Sequence, residues 1–184
     1  MNFTLHRRTF GRLLLTGVAL TYSTVSLAGV HAHAPAKVSQ LTERFAVAGQ
    51  INPEQLADLK ARGYTTIISL RPDGEGADQP SSEQMQAAAR SNGMSFAYVP
   101  VTPGAIPDSA VAALTNATAG TSGKVLMYCR SGSRAARTWG LVEASRPDGA
   151  DAQAIMAAVK ASGQSADDLR EAIGQRVAAR RVSK

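Results

Sequence analysis

The sequence is short of the residues from which most enzyme sites are built. One cysteine, Cys129, occurs in 184 residues, and the three histidines, His6, His31 and His33, all precede the part that reads as folded. An internal disulfide is therefore excluded, as are a Ser-His-Asp triad, a Cys-His pair and a histidine-ligated zinc centre in the core. Packing alone has to hold the domain. Aromatic residues make up 5% of the chain, with a single tryptophan. Acids are also scarce, 14 against 20 Lys and Arg, for a net charge of +6. That balance alone would invite a nucleic-acid reading. The placement of the charges argues otherwise: Arg7, Arg8 and Arg12 lie in an acid-free leader, and Arg176, Arg180, Arg181 and Lys184 crowd the C-terminus. The part between is close to neutral. No nucleic-acid partner, metal or cofactor is expected.

What is present begins with an export signal. Arg7-Arg8-Thr9-Phe10 precedes Leu13-Leu14-Leu15 and an uncharged run to Val30, with small residues suited to cleavage near Ala28 or Ala36. The arginine pair is compatible with either twin-arginine or general secretory export. The chain is expected in the periplasm or outside the cell. Thr16, Gly17, Thr21, Ser23, Thr24 and Ser26 make this stretch too polar for a stable membrane span, which needs about 20 mainly apolar residues. Residues 1–36 are thus assigned to signal and linker, and 37–184 to a single domain with a basic C-terminal helix. The charged tail reads as a solvated, frayed helix end.

Strands and helices alternate through the domain. Strand patterns cover Phe45–Ala48, Thr65–Leu70, Ser95–Val101 and Lys124–Tyr128; the last is nearly all apolar and is expected mid-sheet. Helices are expected from Pro53 to Arg62, from about Ser81 to Asn92, from Asp108 as N-cap, and over 134–145, 150–162 and 165–179. This is the pattern of an α/β fold with a mostly parallel central sheet of about four to five strands flanked by helices. In such folds ligands bind beyond the C-terminal strand ends. The two most unusual loops, 71–80 and 129–134, both leave strands at that end.

The second loop carries the chemistry. Cys129-Arg130-Ser131-Gly132-Ser133-Arg134 runs from a buried strand straight into a helix, so backbone N–H groups and the positive helix end converge on the sulfur. Such a setting favours thiolate over thiol and welcomes an anion. Arg130, Ser131, Gly132 and Ser133 are read as the anion cradle, and Arg134 as a forked donor for an oxyanion. Arg130 and Arg137 are weaker individual candidates. In the first loop, Asp73 is the candidate proton donor, with Glu75 as its alternative. Arg71 is read as a further anion ligand or as the partner of Asp73. Ala135, Ala136, Trp139 and Val142 share a helix face, which makes Trp139 a core residue.

Arg71-Pro72-Asp73-Gly74-Glu75, Gln79-Pro80-Ser81, Val99-Pro100-Val101-Thr102 and Tyr128 to Arg134 followed by Trp139 resemble the phosphatase-like domain of bacterial beta-lactamase hydrolase-like proteins, over roughly Leu41 to Ser162. That resemblance implies a cysteine-phosphatase-like fold, with Cys129 as nucleophile and the 129–134 loop as phosphate cradle. The pattern departs from the phosphatases in three ways. Four residues, not five, separate Cys129 from Arg134, a spacing similar to that of rhodanese sulfurtransferases. Val101, Thr102 and Pro103 stand where phosphatases carry an acidic aspartate, and Asp108 nearby reads as a helix cap. Tyr128 replaces the histidine that commonly precedes the cysteine. The leading expectation is a phosphate-ester hydrolase working through a thiophosphoryl intermediate on Cys129. The alternatives are a sulfurtransferase carrying a persulfide on Cys129 and a non-catalytic anion-binding module. The expected partner is a small phosphorylated or sulfane-sulfur substrate; oligomeric state is open.

Overall fold

The computed structural model describes residue 1 and residues 34–182, so the stretch read as an export signal lies outside the described residues. The chain divides into two units, residues 1–32 and 33–184, and the fold is that of the second. Five strands, β1 (Val38–Gln40), β2 (Phe45–Ala48), β3 (Tyr64–Ser69), β4 (Ser95–Tyr98) and β5 (Lys124–Tyr128), form one sheet in the order β1-β2-β5-β3-β4. Only β1 runs antiparallel, against β2. The other pairings are parallel, with β5 central as its apolar run predicts. Among the described residues six α-helices alternate with or follow these strands: α1 (Leu56–Ala61), α2 (Ser82–Ser91), α3 (Asp108–Thr118), α4 (Ser133–Ser145), α5 (Ala152–Ala161) and α6 (Arg170–Val182).

Side-chain alternation along β5 shows how the layers are held. Val125, Met127 and Cys129 enter a core with α3, α4, α5 and α6, whereas Leu126 and Tyr128 enter one with α1 and α2. A period of two with both faces apolar is what a central parallel strand requires. Trp139 is 2% exposed in the larger core, tilted against Phe45, as its helix face predicts. At Gly140 of α4, Ile155 and Ile173 lie 3.4 and 3.6 Å from where a Cβ would stand, so the missing side chain brings α5 and α6 close.

Four local readings need correction. β1 was not anticipated, because three residues without apolar alternation carry no periodic signal. Ala34 and Ala36, allotted to the linker, engage the domain: Ala36 is buried, Gln55 donates to the Ala34 carbonyl at 2.7 Å, and Arg62 donates to that of Ala36 at 3.1 Å. Asp108 is not a cap. The N-cap of α3 is Pro107, which has no side-chain acceptor, and the Asp108 carboxylate pairs instead with Arg176 of α6. The basic tail is not a frayed end either. Arg180 donates to the carbonyls of Glu143, Arg146 and Ala150 at 3.0, 2.9 and 2.6 Å, tying α6 to the end of α4. Glu143 O also accepts a long bond from Arg146 N–H at 3.4 Å and Arg146 O one from Gly149 N–H at 3.0 Å, so the guanidinium takes up acceptor capacity left over where α4 ends.

Candidate active site

Cys129 immediately follows β5 and is 1% exposed. Its amide donates to Ala48 O of β2, which extends the sheet pairing to the cysteine itself. The chain then turns through Gly132, at φ +93°, a left-handed conformation that suits glycine. That turn directs the Gly132 N–H at Cys129 Sγ, 3.2 Å away. The first-turn amides of α4, from Ser133, Arg134 and Ala135, have no intrahelical acceptor. The sulfur thus sits beneath a helix N-terminus with one amide already committed to it, an arrangement that stabilises negative charge.

Neighbouring segments clamp the loop. Gln50 N–H donates to Arg130 O at 3.3 Å, and a Cβ at Gly49 would stand 3.3 Å from the same oxygen. Gln164, from the turn after α5, donates to Ser131 O at 3.3 Å. Ser131 O and Gly132 N–H belong to one peptide group, so this bond also fixes the amide that faces the sulfur. None of these clamps was anticipated. They join residues 33 to 81 positions apart and leave no local trace in the sequence.

Arg134 does not reach out alone. Its Nη1 and Nη2 each donate to a Glu75 oxygen at 2.7 Å, a two-pronged ion pair, and Nη1 also donates to Val101 O at 2.6 Å. Burial by itself would lower the pKa of Arg134, but the Glu75 hydrogen bond and the charge and hydrogen bond of Cys129 outweigh it and raise the pKa above its ordinary value. Glu75 responds in the opposite sense. The Arg134 hydrogen bond, working against desolvation and joined by Arg71, holds its carboxyl below the ordinary 4.5. Glu75 is an ionised clamp rather than a proton donor.

The remaining first-loop residues are placed differently from expectation. Arg71 Nε donates to Glu75 at 3.2 Å and Nη1 donates to Gln50 Oε1 at 2.8 Å, with the residue 8% exposed. It pairs with neither Asp73 nor the cleft. Its guanidinium backs Glu75 because Gly76 leaves room: a Cβ there would stand 2.6 Å from Arg71 Nη2. Both Asp73 carboxylate oxygens accept from Ser82, the amide at 2.8 Å and the hydroxyl at 2.6 Å, which anchors the start of α2. Burial, only partly offset by a hydrogen bond with Ser69, pushes the Tyr128 phenol up to about 12, so it holds its proton at neutral pH.

A cleft of about 320 Å³ opens over the loop, lined by Glu75, Pro103, Gly104, Arg130, Ser131, Ser133, Arg134 and Arg137. Larger hollows of about 420 Å³ beside α5 and about 650 Å³ beside α2 contain no residue of the 129–134 loop. Loop chemistry, not size, marks the smaller cleft as the candidate site. Among its lining residues the only carboxylate is the ionised Glu75. Among the described residues no cluster of metal-ligating side chains is found.

The chain is similar to proteins of one family and to one fold. A family model described as the phosphatase-like domain of beta-lactamase hydrolase-like proteins matches residues 37–146. A beta-lactamase hydrolase-like protein of Xylella fastidiosa is 41% identical over 107 residues, 58% of this chain and 25% of that protein. The chain therefore spans about a quarter of the length of the curated relatives it matches. Among solved structures, a protein of Neisseria meningitidis assigned as a phosphatase superposes with a TM-score of 0.65 at 27% identity, over 75% of this chain and 96% of that one. A kinase-associated phosphatase, solved with its catalytic cysteine replaced by serine, gives 0.61 at 13% identity over 79% and 98% of the two chains. The latter likeness speaks for the fold alone: the cysteine-phosphatase architecture.

Proposed function

We propose, for a chain that belongs to the beta-lactamase hydrolase-like family through its phosphatase-like domain, that Cys129 is a nucleophile which accepts a sulfane sulfur from a small anionic donor and passes it on. The carrying observation is that, among the described residues lining the cleft, no protonated acid is found. Its one carboxylate is Glu75, ionised between two guanidinium groups. Hydrolysis of a phosphate ester needs a group that gives the leaving oxygen a proton and then takes one from water. A positioned acid is worth about 100- to 10,000-fold there. Sulfur transfer from thiosulfate needs none. The Cys129 thiolate attacks the outer sulfur, a new S–S bond forms as the donor's breaks, and sulfite departs with the bonding pair as a dianion. A thiolate or cyanide acceptor then takes the terminal sulfur and restores the Cys129 thiolate. Total charge is the same on both sides of each step. The Gly132 amide and the first-turn amides of α4 stabilise the anionic sulfur, and Arg134 stays cationic above it. The six-residue Cys129–Arg134 loop supports the same reading.

Phosphate-ester hydrolysis through a thiophosphoryl-cysteine is the second reading, favoured by the family and by the fold of its neighbours. With no acid in the cleft it would be confined to leaving groups that depart unprotonated. The two are separated by assaying thiosulfate-to-cyanide transfer and aryl phosphate hydrolysis side by side on wild type and Cys129→Ser. Sulfur transfer predicts thiocyanate formation that the serine variant loses, with an adduct of about 32 Da on Cys129, one step along the sulfur oxidation ladder. Phosphate release without thiocyanate or adduct would establish the second reading, and neither activity would sink both.

A further inference from the structure

The cleft carries more positive charge than one reacting anion requires. Three arginines line it, Arg130, Arg134 and Arg137, against the single acid Glu75. Glu75 is already matched by Arg134 on one side and Arg71 on the other. Arg130 and Arg137 take no part in that match. Arg130 is exposed, and among the described residues no hydrogen bond or ion pair of its side chain is found.

Arg137 lies three residues beyond Arg134 on α4, so both project from one face of the helix into the cleft. Its side chain is 19% exposed, and its partner, Asp168 from the 3₁₀ turn before α6, is 62% exposed. A carboxylate that open to water is well screened and readily exchanged for another anion. The Arg137 Nε–H is buried with no acceptor at all, so its guanidinium has hydrogen-bonding capacity to spare. At about 320 Å³ the cleft also falls in the range of small-molecule sites rather than that of a pocket for one tetrahedral ion.

We propose that Arg130 and Arg137 form a second anion subsite beside Cys129, which selects donors bearing an additional negative group, such as a carboxylate, one end of the molecule at the sulfur and the other on this arginine pair. This rests on the proposed transfer reaction for its substrate but not for its test. Binding is read by calorimetric titration at fixed ionic strength with two unreactive probes, ethane-1,2-disulfonate and ethanesulfonate. Wild type should bind the disulfonate at least tenfold more tightly. Arg137→Gln and Arg130→Gln should each shrink that preference severalfold, with Arg137→Gln changing ethanesulfonate affinity by less than twofold. Asp168→Asn, which releases Arg137 from its competitor, should enlarge the preference. Equal affinity of wild type for the two probes, or an undiminished preference in both arginine variants, overturns the subsite. Because no turnover is involved, a preference without sulfur or phosphate transfer refutes only the reaction. Transfer without a preference refutes only the subsite.

Discussion

At the scale of single residues, Glu75 is the hinge of the site. It joins the loop after β3 to α4 through two guanidinium groups, and both of its oxygens are used. Removing one member of a largely buried ion-pair network costs more than the pair is worth, because the other members stay buried without a partner. Glu75→Gln should therefore destabilise the protein by about 3 kcal/mol near pH 7, read as a lowered urea midpoint. The pH dependence has a definite sign. A carboxyl whose pKa is depressed on folding contributes stability that is present above its unfolded value of 4.5 and is lost as pH falls through the lower folded value. Wild type should accordingly lose stability below pH 4.5 faster than Glu75→Gln, and the gap between them should close with acid. A gap that is constant with pH would mean that Glu75 acts by shape rather than by charge.

At the scale of elements, the site is one strand-to-helix junction, and its conformation depends on Gly132. A Cβ there would stand 3.3 Å from Gln164 Nε2 and 3.4 Å from Ala48 O, on a backbone with φ at +93°. The left-handed conformation alone costs an L-residue about 1–2 kcal/mol. The tight contacts also push against the hydrogen bond that holds Ser131 O. Gly132→Ala should lower stability by about 1–3 kcal/mol and should turn the Gly132 amide away from Cys129. The second effect is read as a changed rate of iodoacetamide alkylation of Cys129 at fixed pH. Loss of stability with an unchanged alkylation rate would show that this amide does not act on the sulfur.

At the scale of the molecule, the segment beyond the family match completes both the core and the site. The match ends at residue 146, yet Ile155, Val159, Ile173 and Val177, from α5 and α6, are buried on α4. Deleting a single buried aliphatic side chain costs about 2–5 kcal/mol, and losing the whole layer would remove several at once. That exceeds the total stability of about 5–15 kcal/mol usual for a domain. A chain ended at Arg146 should therefore show no cooperative thermal transition, and its Cys129 should be alkylated as fast as in urea. Retention of a sharp transition would mean that α5 and α6 only decorate the fold. The same segment supplies Gln164 and Asp168, which touch Ser131 and Arg137, so its loss should be felt at the cleft as well.

Patterns of short range were enough to read the alternating strands and helices, the central place of β5, the helix face that buries Trp139, and the strand-to-helix junction at Cys129. Each depends on neighbours within a few residues: β-branched runs, a period of two or of 3.6, glycine where the backbone must turn left-handed. Which acid meets which arginine was not readable in this way. Asp73 and Glu75 are two residues apart in one turn, yet Asp73 faces Ser82 while Glu75 crosses 59 positions to Arg134. Arg71 turned from the cleft, and the tail arginines docked on α4, for the same reason. A charge finds its partner only after packing has fixed the distances, because Coulomb attraction in water is too weak and too unselective to choose one earlier.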